Sequence, residues 1–169
     1  MTAAGVLGSS DELGAVLSSQ HEILRAMRSL AEEQQRAIVA GDVQVLTSVV
    51  EQQQQLAEHM AALETERMTA LVAIAAATGL DPDATTITAI AAALPLDRAR
   101  LLTRQGHDLR AEAIALQEIQ DVNERLLERS RALVDRWLHY LRTVLSGSLY
   151  TSTGSTGPMP GARSVDRSA

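Results

Sequence analysis

The sequence predicts an all-α fold: an elongated antiparallel three-helix bundle or coiled coil, a short extra helix between the second and third long helices, and a disordered C-terminal tail. Three observations carry this expectation. Apolar residues recur at alternating steps of three and four along three long stretches, the spacing of a coiled-coil seam. Prolines and paired helix breakers fall between those stretches and not within them. Composition is that of packed helices: 46% hydrophobic but only 2% aromatic, with no Phe.

The first helix is expected over about residues 10–40. Ser9 or Ser10 would cap it, with Glu12 completing a capping box from Ser9. Its stripe is Leu13, Leu17, Gln20, Leu24, Met27, Ala31, Gln34 and Ile38. Gly41-Asp42 then breaks the pattern, Gly41 suiting a left-handed C-terminal position and Asp42 the next N-cap. So short a break forces an antiparallel return.

The second helix is expected over about 43–78, with the stripe Leu46, Val49, Gln53, Leu56, Met60, Leu63, Arg67, Ala70 and Ile74. Gly79 and Pro82 end it. A short helix follows at about 84–93, starting near Thr85 or Thr86 and stopped by Pro95. The third long helix is expected over about 97–145, capped by Asp97. Its stripe is Leu102, Gln105, Leu109, Glu112, Leu116, Ile119, Asn123, Leu126, Ser130, Leu133, Trp137, Tyr140 and Val144, unbroken until Gly147 apart from Gly106. Residues 1–145 thus read as one helical domain. Residues 146–169, rich in Gly, Ser, Thr and Pro, read as a disordered tail.

Lengths set the architecture. At a rise of about 1.5 Å per residue the three long helices span roughly 45, 55 and 75 Å. The last should pass the Gly41-Asp42 turn by roughly a dozen residues. That stretch, about Leu133 to Leu145, holds Leu133, Val134, Trp137, Leu138, Leu141, Val144 and Leu145, together with Tyr140. An open apolar helical strip commonly receives another helix.

Composition narrows the function. Net charge is −6, which argues against nucleic acid as a partner, since phosphate binding needs clustered positive charge. The charge is uneven. Asp11–Thr78 carries ten acids and four arginines, Asp97–Leu145 eight acids and nine arginines. The absence of Cys excludes disulfides, thiolate metal sites and Cys nucleophiles. Met1–Ser10 lacks the charge and apolar run of a signal peptide, no segment is apolar enough to span a membrane, and the chain reads as cytoplasmic. His21, His59, His107 and His139 fit neither a Glu-x-x-His nor a His-Glu-x-x-His pattern, and no Gly-rich phosphate loop occurs. No catalytic residue, metal ligand or cofactor is implied, and the chain is read as non-enzymatic.

The candidate residues lie on the third long helix. Asn123 has two readings: a buried amide that fixes register, which spacing favours, or an amide that bonds a partner helix. Gln20, Gln34, Gln53 and Gln105 mark either a bundle that exchanges partners or, the preferred account, edge positions that stay wet. Trp137 and Tyr140 could be core. Their place near the helix end and the scarcity of other aromatics favour partner binding, with homodimerisation through the same strip a strong competitor.

Five segments stand out: Ala-Ile-Val-Ala-Gly-Asp-Val-Gln-Val-Leu (37–46), Leu-Glu-Thr-Glu-Arg-Met (63–68), a short Leu-Pro punctuated segment, Asn-Glu-Arg-Leu-Leu (123–127) and Leu-Tyr-Thr-Ser-Thr-Gly (149–154). Together they resemble the FlgN family of flagellar export chaperones: 123–127 looks like that family's Asn-x-x-Leu-Leu, and 149–154 is similar to its post-helix Tyr-x-x-x-Gly. In order and spacing they span about residues 13 to 154. The resemblance implies a cytoplasmic chaperone that binds hook–filament junction proteins before secretion, holds their terminal helices and delivers them to the export gate. It implies client binding by the C-terminal part, with Asn123, Leu126 and Leu127 matching the motif. Added to Leu133, Trp137, Tyr140, Leu141 and Val144, these make the candidate client surface. Tyr150 is the suggested contact with an export-gate component. The alternative is a structural coiled-coil adaptor that acts through self-association.

Overall fold

The computed structural model describes residues 3–81 and 86–152, with side chains over 6–81 and 86–144. Its elements are α1 (Ala3–Ala40), α2 (Val43–Thr78), α3 (Ile87–Ala92) and α4 (Leu96–Ser152). The fold is all-α, and no strand occurs among the described residues. The chain divides into two compact units, Met1–Glu128 and Arg129–Ala169, and the division falls within α4.

In the first unit the turn chemistry is as the sequence predicts. Gly41 takes φ 70°, where a side chain would strain the backbone. The Asp42 N–H donates to the Ala37 carbonyl at 3.0 Å, and the Asp42 carboxylate accepts from the Val45 N–H at 3.1 Å. Gly79 ends α2 in the same left-handed conformation. Thr86 caps α3, its hydroxyl accepting from the Ala89 N–H at 3.2 Å.

Cross-helix pairs give the chain directions. Gln20 meets Glu64 and Gln34 meets Gln53, so α1 and α2 run antiparallel. Asp11 meets Arg98, Gly14 meets Gln105, Arg28 meets Glu112 and Ala31 meets Asn123, so α4 runs parallel to α1. The core lies where the start of α1, the end of α2, α3 and the start of α4 converge. Leu13, Leu17, Ala70, Leu71, Ile74, Ile90 and Leu102 are buried together there, with Ile87, Leu94 and Leu109 packed around them. Each large side chain so buried contributes about 1.5–3 kcal/mol. Gly106 faces α3 here: a Cβ there would sit 2.9 Å from Ile87 Cδ1, the movable end of that side chain.

Several boundaries differ from expectation. The first helix starts at Ala3, not near residue 10, so Ser9 and Ser10 are interior positions and form no capping box. The Ser10 hydroxyl donates to the Leu7 carbonyl at 2.8 Å. Arg98 reaches across from α4 to the Leu7 carbonyl and Ser10 Oγ and pairs with Asp11, which fastens residues 7–11 of α1 through tertiary contacts. α4 starts at Leu96, so Asp97 sits in its first turn and is not the cap. It also runs on through Gly147 to Ser152. Residues 146–152 are therefore helical, and the Leu149–Gly154 motif is not wholly post-helix. One glycine costs a helix only about 1 kcal/mol, which need not end so long a segment.

The glutamine reading also changes. Gln20 and Gln34 are buried, not wet edges. Gln20 Nε2 donates to Glu64 at 3.2 Å. Gln34 Oε1 accepts from Gln53 at 3.4 Å and from Asn123 at 3.2 Å, so α1, α2 and α4 share one acceptor. Gln105 is half-buried and donates to the Gly14 carbonyl and the Ser18 hydroxyl.

Candidate functional site

Asn123 and the residues after it separate into two groups. Asn123 is 1% exposed. Its amide donates to the Ala31 carbonyl at 2.8 Å and to Gln34. Of its two readings, the geometry matches the amide that fixes register between helices. A side chain sealed in this way cannot also line an open strip. Leu126 is half-buried.

From Leu127 to Val144 every side chain is exposed. Leu127, Leu133, Trp137, Tyr140, Leu141 and Val144 all fall in this stretch, with Trp137 at 58% and Leu141 at 47% exposure. Val134 and Leu138 share it. The helix spacing explains their grouping. Residues 133, 137, 140 and 144 form one row and 134, 138 and 141 the next, so the two rows merge into one broad apolar face.

The aromatic pair gives the face relief. Trp137 and Tyr140 stand one turn apart, their ring centroids 6.0 Å from each other and their planes at 89°. This edge-to-face geometry suits the ring quadrupoles and holds both rings in place. Leu133, Arg136, Trp137 and Tyr140 line a shallow, mainly apolar concavity. Such a hollow admits an aliphatic knob from another helix.

Tyr150 lies within α4, its side chain outside the described residues, and Gly154 lies beyond them. Of the four histidines, His21 is half-buried and His59, His107 and His139 are exposed. Among the described residues no three His, Asp or Glu side chains gather as metal ligands, and no helix is long and apolar enough to cross a membrane.

Two features went unread in the sequence. Arg98 fastens α4 to the start of α1, and Gln20 reaches the Glu64 carboxylate. Arg67 donates to that same carboxylate at 2.7 Å; this bond holds Glu64 below the usual carboxylate range, against a smaller opposing effect of burial. The i, i+3 spacing of Glu64 and Arg67 was a readable signal for their pairing.

Comparison with curated proteins and with solved structures gives no match. A family model described as FlgN protein matches residues 1–158. That match spans all four helices and the exposed face of α4, and with it the chain belongs to the FlgN family, the chaperones of flagellum biogenesis.

Proposed function

We propose that this chaperone binds the terminal helices of hook–filament junction proteins, prevents their premature assembly in the cytoplasm and delivers them to the flagellar export gate. The observation that carries the reading is the uninterrupted exposure of Leu133, Trp137, Tyr140, Leu141 and Val144 on one helical face. A client's amphipathic end helix has no partner before assembly. Laid along α4, it covers its own stripe and the exposed rings at once. Burying about 1,000 Å² or more is enough for a reversible complex. Release at the gate then needs only a competing surface, and Tyr150 is the proposed gate contact.

The test is co-purification of a junction protein with the full chain carrying Trp137→Ala and Leu141→Ala together. Client capture should be lost while helicity, read by circular dichroism, is retained. Undiminished capture would reject this site. The rival reading is a structural coiled-coil adaptor that pairs through the same strip. Light scattering across concentration separates the two: a tight dimer that shields Trp137 from quenchers and ignores junction proteins would favour the adaptor.

A further inference from the structure

The edges of the exposed strip carry a charge pattern. At about 100° per residue, Tyr140, Leu133, Val144, Trp137, Leu141, Val134 and Leu138 occupy a sector roughly 160° wide. Arg129 and Arg136 lie just outside one edge of that sector, and Arg131 and Arg142 just outside the other. Residues 129–144 contain these four arginines and a single acid, Asp135, so the stretch is +3 in a chain whose net charge is −6. Asp135 falls just behind Arg131 and Arg142, farther from the strip than either. None of the four arginines is in an ion pair among the described residues, and all four are exposed.

We propose that the occupant of this face is an amphipathic protein helix whose apolar stripe is bordered by carboxylates on both sides. The inference rests on the chaperone reading above and adds the chemical class of the client helix. Charge complementarity selects the borders. Arginines flanking an apolar seam take the place of the charged flanking positions of a coiled coil, which choose partner and orientation. An arginine-bordered partner meets like charge along both edges, and an acidic one meets four available guanidinium groups.

The same pattern disfavours a second copy docked strip to strip. In either orientation the arginine borders of one copy would face those of the other, with a single acid, Asp135, behind one border. An anionic lipid surface shares the charge preference. The relief made by Leu133, Arg136, Trp137 and Tyr140 favours a helix, because a hollow between rings fits a discrete side chain and a fluid surface has none.

The chain's single Trp lies on the face, so its fluorescence reports occupancy directly. The full chain is titrated with three synthetic helical peptides of equal length. Each has Leu at the seam positions, with Glu, Gln or Arg at all flanking positions. At low salt the Glu peptide should bind about tenfold tighter than the Gln peptide, the summed effect of several exposed pairs, and the Arg peptide weakest. The spread should shrink in high salt. The combined variant Arg129→Glu, Arg131→Glu, Arg136→Glu, Arg142→Glu should reverse the order while leaving helicity unchanged. Equal binding of all three peptides would overturn the acidic-border proposal and leave helix docking standing. Failure of every peptide to perturb Trp137 would overturn helix docking itself. A larger blue shift with phosphatidylglycerol vesicles than with the Glu peptide would overturn the proposal in favour of a lipid surface. A tight dimer loosened by Trp137→Ala together with Leu141→Ala would overturn it in favour of self-pairing.

Discussion

Two apolar regions of this chain use the same helical spacing and meet opposite fates. In the first, Leu13, Leu17, Ile74, Ile90 and Leu102 are removed from water. In the second, Leu133, Trp137, Leu138, Leu141 and Val144 stay exposed. Hydrophobicity does not separate them, since both regions are built mainly of Leu and the open one adds the chain's only Trp. What separates them is cover. Three other segments, including the six-residue α3, close over the start of α4. A periodic stripe says that a helix has a face to bury and leaves open which element buries it.

The contrast is sharpest in stability. Ile74→Ala removes a side chain with no exposure and leaves a cavity where α2, α3 and α4 meet. It should cost about 2–5 kcal/mol in denaturant unfolding followed by circular dichroism. Leu17→Ala should fall in the same range. A loss below about 1 kcal/mol at either site would mean that this region is not the cooperative core.

Asn123 marks the inner limit of the open region, and its replacement ranks next. Asn123→Ala withdraws the donor from the Ala31 carbonyl and from Gln34, both in buried surroundings. The expected loss is about 0.5–1.5 kcal/mol, the net worth of the lost hydrogen bonds, because Gln34 still accepts from Gln53 and the Ala31 carbonyl keeps its bond within α1. A neutral result would show that water replaces the amide and that register is held elsewhere. A direct role for Asn123 in client binding predicts the opposite split: weaker capture with unchanged unfolding.

The exposed face should behave differently again. Leu133→Ala and Leu141→Ala remove comparable volumes from positions in contact with water. Each should shift stability by no more than about 0.5 kcal/mol. A larger loss would mean that these side chains are covered in solution, and the contrast between the two regions would collapse.

How much of this could be read in the sequence follows from the range of each interaction. The turn at Gly41-Asp42, the C-terminal Gly79 and the Thr86 cap depend on neighbours within a few residues, and all three appear as expected. The start of α1 at Ala3 does not, and residues 7–11 just after it are held by Arg98 from far along the chain. The glutamines were misread for the same reason. Gln20 and Gln34 look like flaws in an apolar stripe until Glu64, Gln53 and Asn123 are brought against them. The candidate strip was legible as residues and spacing. Its arginine borders do not show in net charge, because a sum over the helix carries no angle.

The smallest expected effect lies in the polar layer of the covered region. Glu64 accepts from both Arg67 and the buried Gln20, and its pKa is lowered chiefly by the Arg67 hydrogen bond. A carboxyl whose folded pKa lies below its unfolded value adds stability above the unfolded value, near 4.3. That stability is lost as pH falls through the folded pKa. Glu64→Gln removes the charge and keeps an oxygen to accept from Gln20, so it isolates the electrostatic part. Glu64 is largely exposed, which screens its pairing with Arg67, and the cost at pH 7 should be no more than about 0.5 kcal/mol. Unfolding curves for the two proteins should converge once the pH has fallen below the lowered folded pKa of Glu64. A gap that persists into acid would assign the effect to packing around Gln20, because a protonated carboxyl and an amide are nearly the same shape.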